Sequence, residues 1–479
     1  MHKLKITFLP DGICTEVNAG TTVLQAQIDA GLRPDAPCGG KGTCGKCKVI
    51  IDGREVLACQ TVVDRDLEVT LSESENTAIL TSGTSAEAKA DGENSYAIAF
   101  DIGTTTVVAY LMDGVTGALL AQGSCRNPQG QFGADVISRI QYAMKEGVNG
   151  ISLCIRDAMK SLTSQVCGKA GIMPEQITAA AIVGNTAMHH LLLQIDPKPL
   201  VTPPYMPAVF EALEIGDACN VRVLPNIAGF VGGDTVGCMV ATRFDQKQEL
   251  TLLIDIGTNG EMVLGNVEQR IACSTAAGPA FEGAKISCGM RGAEGAVDHV
   301  WLENGEVRYH VIGDVHPKGL CGSGLLDLVA VLLDLEIIDE SGRMENKQYT
   351  LCENVTLTQK DVREVQLAKA AIRAGVELLA EKMGCAVSEI RQVLLAGAFG
   401  SFLTPASACR IGMIPPELED RITAIGNAAG EGAKLCAVSR AEFTYSKLLA
   451  KETEFLELAS LPQFQDRYVD ALEFAEEEA

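Results

Sequence analysis

The sequence has few basic residues for its acidic content. Its 479 residues include 39 lysines and arginines against 62 aspartates and glutamates, which gives a formal net charge of −23. A surface of that sign repels the phosphate backbone of DNA or RNA, so the composition argues against nucleic acid as a partner. We attribute most of the excess charge to solubility.

Long apolar segments are also missing. No uninterrupted apolar run reaches the roughly 18 residues that a membrane-spanning helix needs. The stretch LLDLVAVLLDLEII is interrupted by Asp327 and Asp334, and the N-terminal MHKLKITFLPDG has no apolar core of signal-peptide length. These absences predict a cytoplasmic protein that does not enter a membrane.

Cysteine, by contrast, is plentiful, with 17 residues. Disulfides are rare in a reducing compartment, so most of these thiols are expected to pack singly in the core. Four are clustered: CGGKGTCGKCKV and the downstream LACQT place Cys38, Cys44, Cys47 and Cys59 at the spacing C-x5-C-x2-C-x11-C. Clustered thiols in such a compartment indicate a metal or redox centre.

The spacing distinguishes two kinds of centre. Structural zinc sites usually contain two ligand pairs, and only Cys44 and Cys47 form a pair here. A plant-type [2Fe–2S] centre uses a C-x4-C-x2-C run and one remote cysteine, which this spacing matches with one extra residue. The intervening glycines let the chain wrap closely around a cluster. The pattern therefore favours a [2Fe–2S] cluster over zinc, which remains the alternative.

Three regions differ in composition. Residues 1–71 contain alternating strands around one short helix, which predicts a β-grasp domain. Residues 72–95 are rich in Ser, Thr, Glu, Ala and Gly, which predicts a flexible linker. In residues 96–479 strands and helices alternate, which predicts an α/β domain.

One phrase occurs twice in the third region. FDIGTTT and LIDIGTNG place Asp101 and Asp255 at the ends of buried strands, each before a glycine and hydroxyl residues. Glycine lets backbone N–H groups approach phosphate oxygens, and aspartate can hold Mg²⁺ through its waters. The repeat predicts two similar α/β halves that share one nucleotide cleft.

Two further segments extend this pattern. VLLAGAFGSF, from Val393, is a strand that runs into a glycine-rich turn suited to a nucleobase and ribose. GFVGGDTVGCMVA places Asp234 at the predicted start of a helix of small residues. Together, DIGTTT, GGDTVGCMVA, DIGTNGE and AGAFG resemble the phosphate-1, connect-1, phosphate-2 and adenosine motifs of the ASKHA ATPases, the superfamily of actin, sugar kinases and heat-shock chaperones.

The whole chain resembles a narrower family, the reductive activators of corrinoid-dependent enzymes. VGNTAMHHLLL, AGPAFEGA and GLCGSGLLD are similar to segments of that family. The resemblance implies an α+β β-grasp [2Fe–2S] ferredoxin domain followed by a two-lobed α/β ATPase domain of the actin-like, ribonuclease H-like type. It also implies three cofactors: the cluster, ATP and Mg²⁺.

The resemblance implies roles for individual residues. Cys38, Cys44, Cys47 and Cys59 would hold the cluster. Asp101 and Asp255 would bind Mg²⁺, and Asp234, with Glu261 in reserve, would position the attacking water. The residues that would contact phosphate or adenosine are Gly103, Thr104, Thr105, Thr106, Gly257, Thr258, Asn259, Gly260, Gly397, Ala398, Phe399 and Gly400.

The implied function is ATP-dependent reduction of Co(II) to Co(I) in the corrinoid protein of a methyltransferase system. An upstream low-potential reductant is implied, and a homodimer is left open. The alternatives are an activator of 2-hydroxyacyl-CoA dehydratases, a small-molecule kinase, and a ferredoxin regulated by nucleotide. The four-cysteine motif argues against a dehydratase activator. The intact Asp101, Asp234 and Asp255 argue against a ferredoxin that is only regulated by nucleotide.

Other polar residues are interpreted as structural. His189 and His190 open the apolar run HLLL and are expected in the core or at a helix cap rather than on cobalt. Lys369 and Arg373 lie four residues apart on a predicted helix and are expected to be solvated.

Overall fold

The structure is a computed structural model. It describes residues 3–9, 12–32, 34, 36, 40, 42, 47–71, 81–87, 89–92, 95–216, 219–283, 285–353 and 355–474. Two of the predicted cluster ligands, Cys38 and Cys44, lie outside the described residues, as do residues 72–80 of the predicted linker.

The N-terminal region is one sheet with one helix against it. The sheet has the order β2-β1-β5-β3-β4, in which β1 and β5 are parallel. The helix begins where the Thr22 side chain accepts a hydrogen bond from the Gln25 N–H at 3.2 Å, as its capping sequence predicts. This is the predicted β-grasp arrangement. Its elements are β1 (Lys3–Leu9), β2 (Ile13–Asn18), α1 (Val23–Asp29), β3 (Lys48–Ile51), β4 (Arg54–Leu57) and β5 (Leu67–Leu71).

The first half of the α/β region is built on a six-stranded sheet of order β10-β11-β9-β6-β7-β8. The first DIGT phrase joins β6 to β7. The elements of this half are β6 (Tyr96–Ile102), β7 (Thr106–Asp113), β8 (Leu119–Arg126), α2 (Val136–Glu146), α3 (Asn149–Ala170), β9 (Ile177–Gly184), α4 (Thr186–Leu193), β10 (Leu213–Ile215), β11 (Asn220–Val223) and α5 (Gly233–Thr242).

The second half is built on another six-stranded sheet, of order β21-β20-β12-β13-β14-β22. The second DIGT phrase joins β12 to β13. The elements are β12 (Thr251–Ile256), β13 (Gly260–Gly265), β14 (Arg270–Thr275), β15 (Ala296–Glu303), β16 (Glu306–Val311), β17 (Gly319–Leu320), α6 (Gly322–Asp334), β18 (Gln348–Cys352), β19 (Val355–Thr358), α7 (Gln359–Met383), β20 (Gln392–Ala396), α8 (Gly397–Phe402), α9 (Pro405–Arg410), β21 (Ile422–Gly426), α10 (Ala428–Val438), α11 (Arg440–Glu452), β22 (Glu454–Phe455) and α12 (Pro462–Asp470).

The two sheets repeat one topology. In each, a three-stranded antiparallel meander carries the DIGT turn after its first strand, β6 or β12. A parallel strand, β9 or β20, then pairs with that first strand. Both DIGT turns therefore lie at the carboxyl end of the strand where the sheet changes from antiparallel to parallel. The internal repeat in the sequence is a repeat of structure.

Helices α5 and α10 share a core with strands of both sheets. They cross closely because small residues meet at the crossing: a Cβ atom on Gly432 would lie 2.1 Å from the Gly237 carbonyl oxygen. Gly237 is equally constrained, since a Cβ there would lie 2.9 Å from the Ala429 carbonyl oxygen. The small-residue composition of both helices is therefore a packing requirement.

The described part of the predicted linker is bound to the α/β region. We call residues 81–87 and 89–92 the strap. The Thr84 N–H donates to the Ile425 carbonyl at 2.8 Å, and the Asp91 N–H donates to the Val438 carbonyl at 3.0 Å.

The composition of residues 72–95 predicts a free linker, whereas the strap is held at both ends. Its backbone polar groups find partners beside β21 and α10, and composition alone does not reveal such partners. The domain boundaries stay a prediction. In the parts of the chain that the structure describes, no helix combines the length and apolarity needed to cross a bilayer.

Candidate functional site

The first DIGT turn is held from inside the protein. The Gly103 N–H donates to the Thr106 carbonyl at 2.9 Å and closes the turn. Asn127 Nδ2 donates to the Gly103 carbonyl at 2.7 Å, and Arg139 Nη2 donates to the Thr104 carbonyl at 2.6 Å. Arg139 is only 2% exposed, and burial lowers its pKa to about 10. The backbone of this turn is therefore fixed by side chains that solvent does not reach.

The second DIGT turn is also closed by a hydrogen bond from its glycine. The Gly257 N–H donates to the Asn259 carbonyl at 2.9 Å. The Thr258 carbonyl accepts from the Gly278 N–H, also at 2.9 Å, which ties the turn to the segment after β14. Gly260 begins β13, where a Cβ would lie 3.1 Å from Thr275 Oγ1.

One carboxylate joins the two turns. Glu282 Oε2 accepts a hydrogen bond from Thr105 Oγ1 at 2.9 Å, and Oε1 accepts one from Thr258 Oγ1 at 2.6 Å. Thr105 belongs to the first half and Thr258 to the second, so the contact crosses from one half to the other. The structure thus brings the two predicted phosphate turns to one place.

Four carboxylates lie close enough to repel one another near these turns: Glu261 is buried, and Asp101, Asp234 and Asp255 are half-buried. Burial raises the pKa of Asp101 to about 6 and outweighs the hydrogen bond from Asn427, which acts in the opposite direction. Burial, followed by repulsion from Asp234 and Asp101, raises the pKa of Asp255 to about 7. The pKa of Asp234 is raised to about 6 and that of Glu261 well above its usual range, in both cases chiefly by burial. Glu261 faces Asp255 directly across the β12–β13 pairing.

This donor set fits a divalent cation. Within the described part of the chain, no lysine or arginine forms an ion pair with any of the four carboxylates. Buried carboxylates without a counter-charge are costly, and oxygen ligands are those that Mg²⁺ prefers. Among the same residues, no three His, Cys, Asp or Glu side chains are arranged to hold one ion together. The arrangement suits an ion that keeps several of its waters.

The predicted adenosine segment lies beside the second turn. Ala396, at the end of β20, pairs with Asp255. Gly397 has a φ of +85°, and a Cβ there would lie 2.7 Å from Asp255 Oδ1. Ala398 is exposed, whereas the Phe399 ring stacks on Phe281, with ring centroids 4.7 Å apart. A Cβ on the next glycine of the segment, Gly400, would contact the side chain of Leu395 at 3.2 Å, so this helix packs tightly on its own strand.

The described half of the cysteine cluster is compact. Cys47 and Cys59 are both buried, and the Cys59 N–H donates to Cys47 Sγ at 3.5 Å. Gly40 and Gly42 have positive φ angles of +83° and +75°, as a loop that wraps closely around a cluster requires. Gln60 Nε2 lies 3.7 Å from Cys59 Sγ, in a position to donate to a thiolate. Adjacent buried thiols with N–H donors fit an iron–sulfur centre.

Comparison with known proteins decides the family. The chain is 38% identical to the corrinoid activation enzyme RamQ of Eubacterium limosum over 413 aligned residues. The alignment covers 78% of this chain and 69% of RamQ. The chain belongs to the family of corrinoid reductive activators. A Methanosarcina barkeri reductase of the Co(II) methylated amine-specific corrinoid protein is 28% identical over 295 residues, or 56% of this chain and 54% of that one.

Family models and a solved structure agree with this membership. Residues 6–69 match the 2Fe-2S iron-sulfur cluster binding domain, residues 96–247 match the RACo middle region, and residues 249–479 match the C-terminal ASKHA domain of RACo. The solved reductive activator for a corrinoid, iron–sulfur protein is 28% identical, with a TM-score of 0.72 over 98% of each chain.

Membership in the corrinoid reductive activators confirms several predictions. The β-grasp ferredoxin domain joined to an ASKHA domain is the family fold, and its cofactors are a [2Fe–2S] cluster, ATP and Mg²⁺. The choice of iron–sulfur over zinc is thereby confirmed. The chain is an ATP-coupled reductive activase. The roles of individual residues stay predictions.

Sequence reasoning missed five polar residues at the turns, namely Glu282, Asn127, Arg139, Asn185 and Asn427. Glu282 lies in AGPAFEGA, a segment noted only for its resemblance. Asn185 Nδ2 donates to Thr104 Oγ1 at 3.0 Å, and Asn427 Nδ2 donates to Asp101 Oδ2 at 2.8 Å. Both asparagines cap a helix directly after a strand that ends in glycine. The repeated Gly-Asn pair was the available signal.

Two structural interpretations can be compared with the structure. His189 and His190 are buried in α4, and burial lowers the pKa of His189 to about 4, so a core position describes them correctly. The expectation that Lys369 is solvated is wrong: it is 1% exposed, and its Nζ donates to the Glu473 carbonyl. The C-terminal segment covers it, a contact that helical periodicity cannot predict. Arg373 pairs with Glu377 at 2.6 Å.

Proposed function

We propose that this chain reduces the Co(II) form of a corrinoid protein of a methyltransferase system to Co(I), driven by ATP hydrolysis. The observation that carries the proposal is the meeting of two DIGT turns at one group of carboxylates with raised pKa values, in a chain that also has a [2Fe–2S] domain. The corrinoid target is that of the named relatives.

An energy source is needed because the transfer runs uphill. Each 100 mV by which the cobalt couple lies below its donor costs about 2.3 kcal/mol for one electron. The cluster, held by Cys38, Cys44, Cys47 and Cys59, supplies one low-potential electron when bound. A low-potential reductant then restores it. We place the reaction in the cytoplasm, where thiols stay reduced, and leave a homodimer as one form of assembly.

The residues around the two turns have different proposed roles in ATP binding and hydrolysis. We assign phosphate binding to the backbone N–H groups of Gly103–Thr106 and Gly257–Gly260, and adenosine binding to Gly397–Gly400. Asp101 and Asp255 would hold the hydrated Mg²⁺. Asp234, in the first turn of α5, is our candidate to orient the attacking water, and Glu261 is the second.

The experiment uses the whole chain, purified without oxygen. Its spectrum should be that of a [2Fe–2S] centre with roughly two irons per chain. The reduced protein, ATP and a Co(II) corrinoid protein should together give Co(I) absorbance, and omission of ATP should prevent it. The variant Asp255→Asn should fail, whereas the exposed Asp466→Asn should behave like wild type. Equal Co(I) formation without ATP would contradict the proposal.

The same assay distinguishes Asp234 from Glu261 as the residue that orients the attacking water. Asp234→Asn and Glu261→Gln are compared under single turnover, with ADP binding measured alongside. The residue that orients the water should lose hydrolysis by a factor of about 100 or more while it keeps ADP binding.

A further inference from the structure

Glu282 contacts both predicted phosphate turns through its side chain. It ends the short 3₁₀ turn Pro279–Glu282, which follows β14. Each of its carboxylate oxygens accepts one hydrogen bond, from Thr105 at 2.9 Å and from Thr258 at 2.6 Å. The shorter distance is typical of a hydroxyl that donates to an ionised carboxylate.

The backbone around Glu282 is tightly fixed. The Phe281 ring stacks on Phe399, with planes only 3° apart. A Cβ on Gly322 would lie 2.0 Å from the Phe281 carbonyl oxygen, and Gly283 adopts a φ of +74° against Met290. Packing on both sides therefore fixes the backbone position of Glu282 independently of the two threonines.

The direction of these hydrogen bonds has a chemical consequence. An ionised carboxylate only accepts, and a hydroxyl group has a single proton. Thr105 and Thr258 therefore both give their protons to Glu282, and each oxygen presents only lone pairs to its other neighbours. Lone pairs can bind a cation or one of its waters, but they cannot donate to a phosphate oxygen.

We propose that Glu282 is a positioning residue that directs the hydroxyl oxygens of Thr105 and Thr258 toward Mg²⁺ or its waters. The backbone N–H groups of the turns are then left to bind phosphate. Because the two threonines belong to different halves, Glu282 also sets both halves around the same ion. The inference rests on the proposed ATPase function and adds the group that orients its hydroxyls.

The test is the Mg²⁺ dependence of ADP binding, measured by calorimetry on the whole chain. Glu282→Gln keeps the shape of the side chain but offers one acceptor and one donor, so only one threonine can keep its orientation. We expect the gain in ADP affinity on adding Mg²⁺ to shrink about tenfold, as for the loss of one hydrogen bond to a charged group. Binding without Mg²⁺ should be unchanged or tighter, since one negative charge is removed. The exposed Glu306→Gln is the matched control.

Threonine variants make the test independent of the glutamine variant. Thr105→Val and Thr258→Val should each reduce the Mg²⁺-dependent gain. In the Glu282→Gln background, valine at the threonine that has lost its acceptor should have little further effect, whereas valine at the other threonine should remove the rest of the gain. The single threonine variants carry the test if the glutamine variant does not fold.

Three results would overturn the inference. One is a Glu282→Gln protein with the full Mg²⁺-dependent gain. Another is an equal loss of affinity with and without Mg²⁺, which would indicate a purely structural role. The third is a wild-type chain that binds no ADP under either condition. That result would refute the proposed function and this inference with it, whereas the first two leave the proposed function standing.

Discussion

Asn427 donates a hydrogen bond from Nδ2 to Asp101 Oδ2 at 2.8 Å, while its backbone N–H donates to the Ser82 carbonyl at 2.9 Å. Its Oδ1 accepts from the Gly430 N–H and caps α10. One residue therefore contacts a carboxylate of the proposed nucleotide site, the strap and a helix shared by both halves.

The variant Asn427→Ser separates these contacts. Serine still caps a helix, so α10 should be retained, but the amide that donates to Asp101 is lost. Since that hydrogen bond lowers the pKa of Asp101, its loss should raise the pKa further above about 6. Mg²⁺ binds the ionised carboxylate, so the acid limb of Mg²⁺-dependent ADP binding should move to higher pH. The exposed Asn346→Ser should leave the limb in place, and an unmoved limb in Asn427→Ser would contradict the prediction.

The raised pKa values of the carboxylates at the two turns predict an unusual dependence of stability on pH. The pKa of Asp255 is raised from 3.8 to about 7, so the folded chain binds more protons than the unfolded chain between these values. The contribution of Asp255 to the free energy of unfolding must then fall as pH rises through that window. In Asp255→Asn this fall should be smaller, and Mg²⁺ with ADP should reduce it in wild type.

Denaturant titrations between pH 3.8 and about 7 measure the free energy of unfolding of each variant. The exposed Asp466→Asn controls for the loss of one negative charge. If Asp255→Asn and wild type lost stability in parallel, the carboxylate would not be the group that titrates.

The fold was largely predictable because its signals are local. Alternating strands, the Thr22 cap and the two DIGT phrases each specify their own segment, and the repeat of the phrase implied the repeat of topology. The [2Fe–2S] domain was predictable for the same reason, since the spacing of its cysteines is a local pattern.

The missed residues act over long separations in sequence. Glu282 is 177 residues from Thr105, and Asn427 is 326 residues from Asp101. Nothing in the neighbourhood of either residue marks its partner. The hydrogen bonds of the strap were not predictable for a related reason: its small polar composition is that of a linker, and its backbone partners at Ile425 and Val438 lie far away in the sequence.

The strap predicts a coupling between the cluster domain and the ATPase halves. A Cβ on Gly83 would lie 2.5 Å from the Ile425 carbonyl oxygen, so Gly83→Val should displace the strap. We expect faster proteolysis within residues 81–92 and slower formation of Co(I), with ATP hydrolysis at least half of wild type.

A matched variant is Lys89→Ala, whose side chain is exposed on the same strap. It should leave proteolysis and Co(I) formation unchanged. The coupling would be refuted by a Gly83→Val protein that is cleaved rapidly within the strap and still forms Co(I) at the wild-type rate.

The buried Lys369 predicts a pH effect of opposite sign at the C-terminal segment. Burial lowers its pKa from 10.5 to about 7, and its Nζ lies 5.1 Å from the centroid of the Phe474 ring. Between these pKa values the folded chain binds fewer protons than the unfolded chain, so the contribution of Lys369 to the free energy of unfolding rises with pH from about 7 to about 10. Lys369→Met should remove that rise, whereas the exposed Lys360→Met should keep it. Hydrogen exchange at the Phe474 amide, which donates to the Glu340 carbonyl at 2.8 Å, reports whether the C-terminal segment follows the same titration. A rise in stability that persists in Lys369→Met would assign the titration to another group.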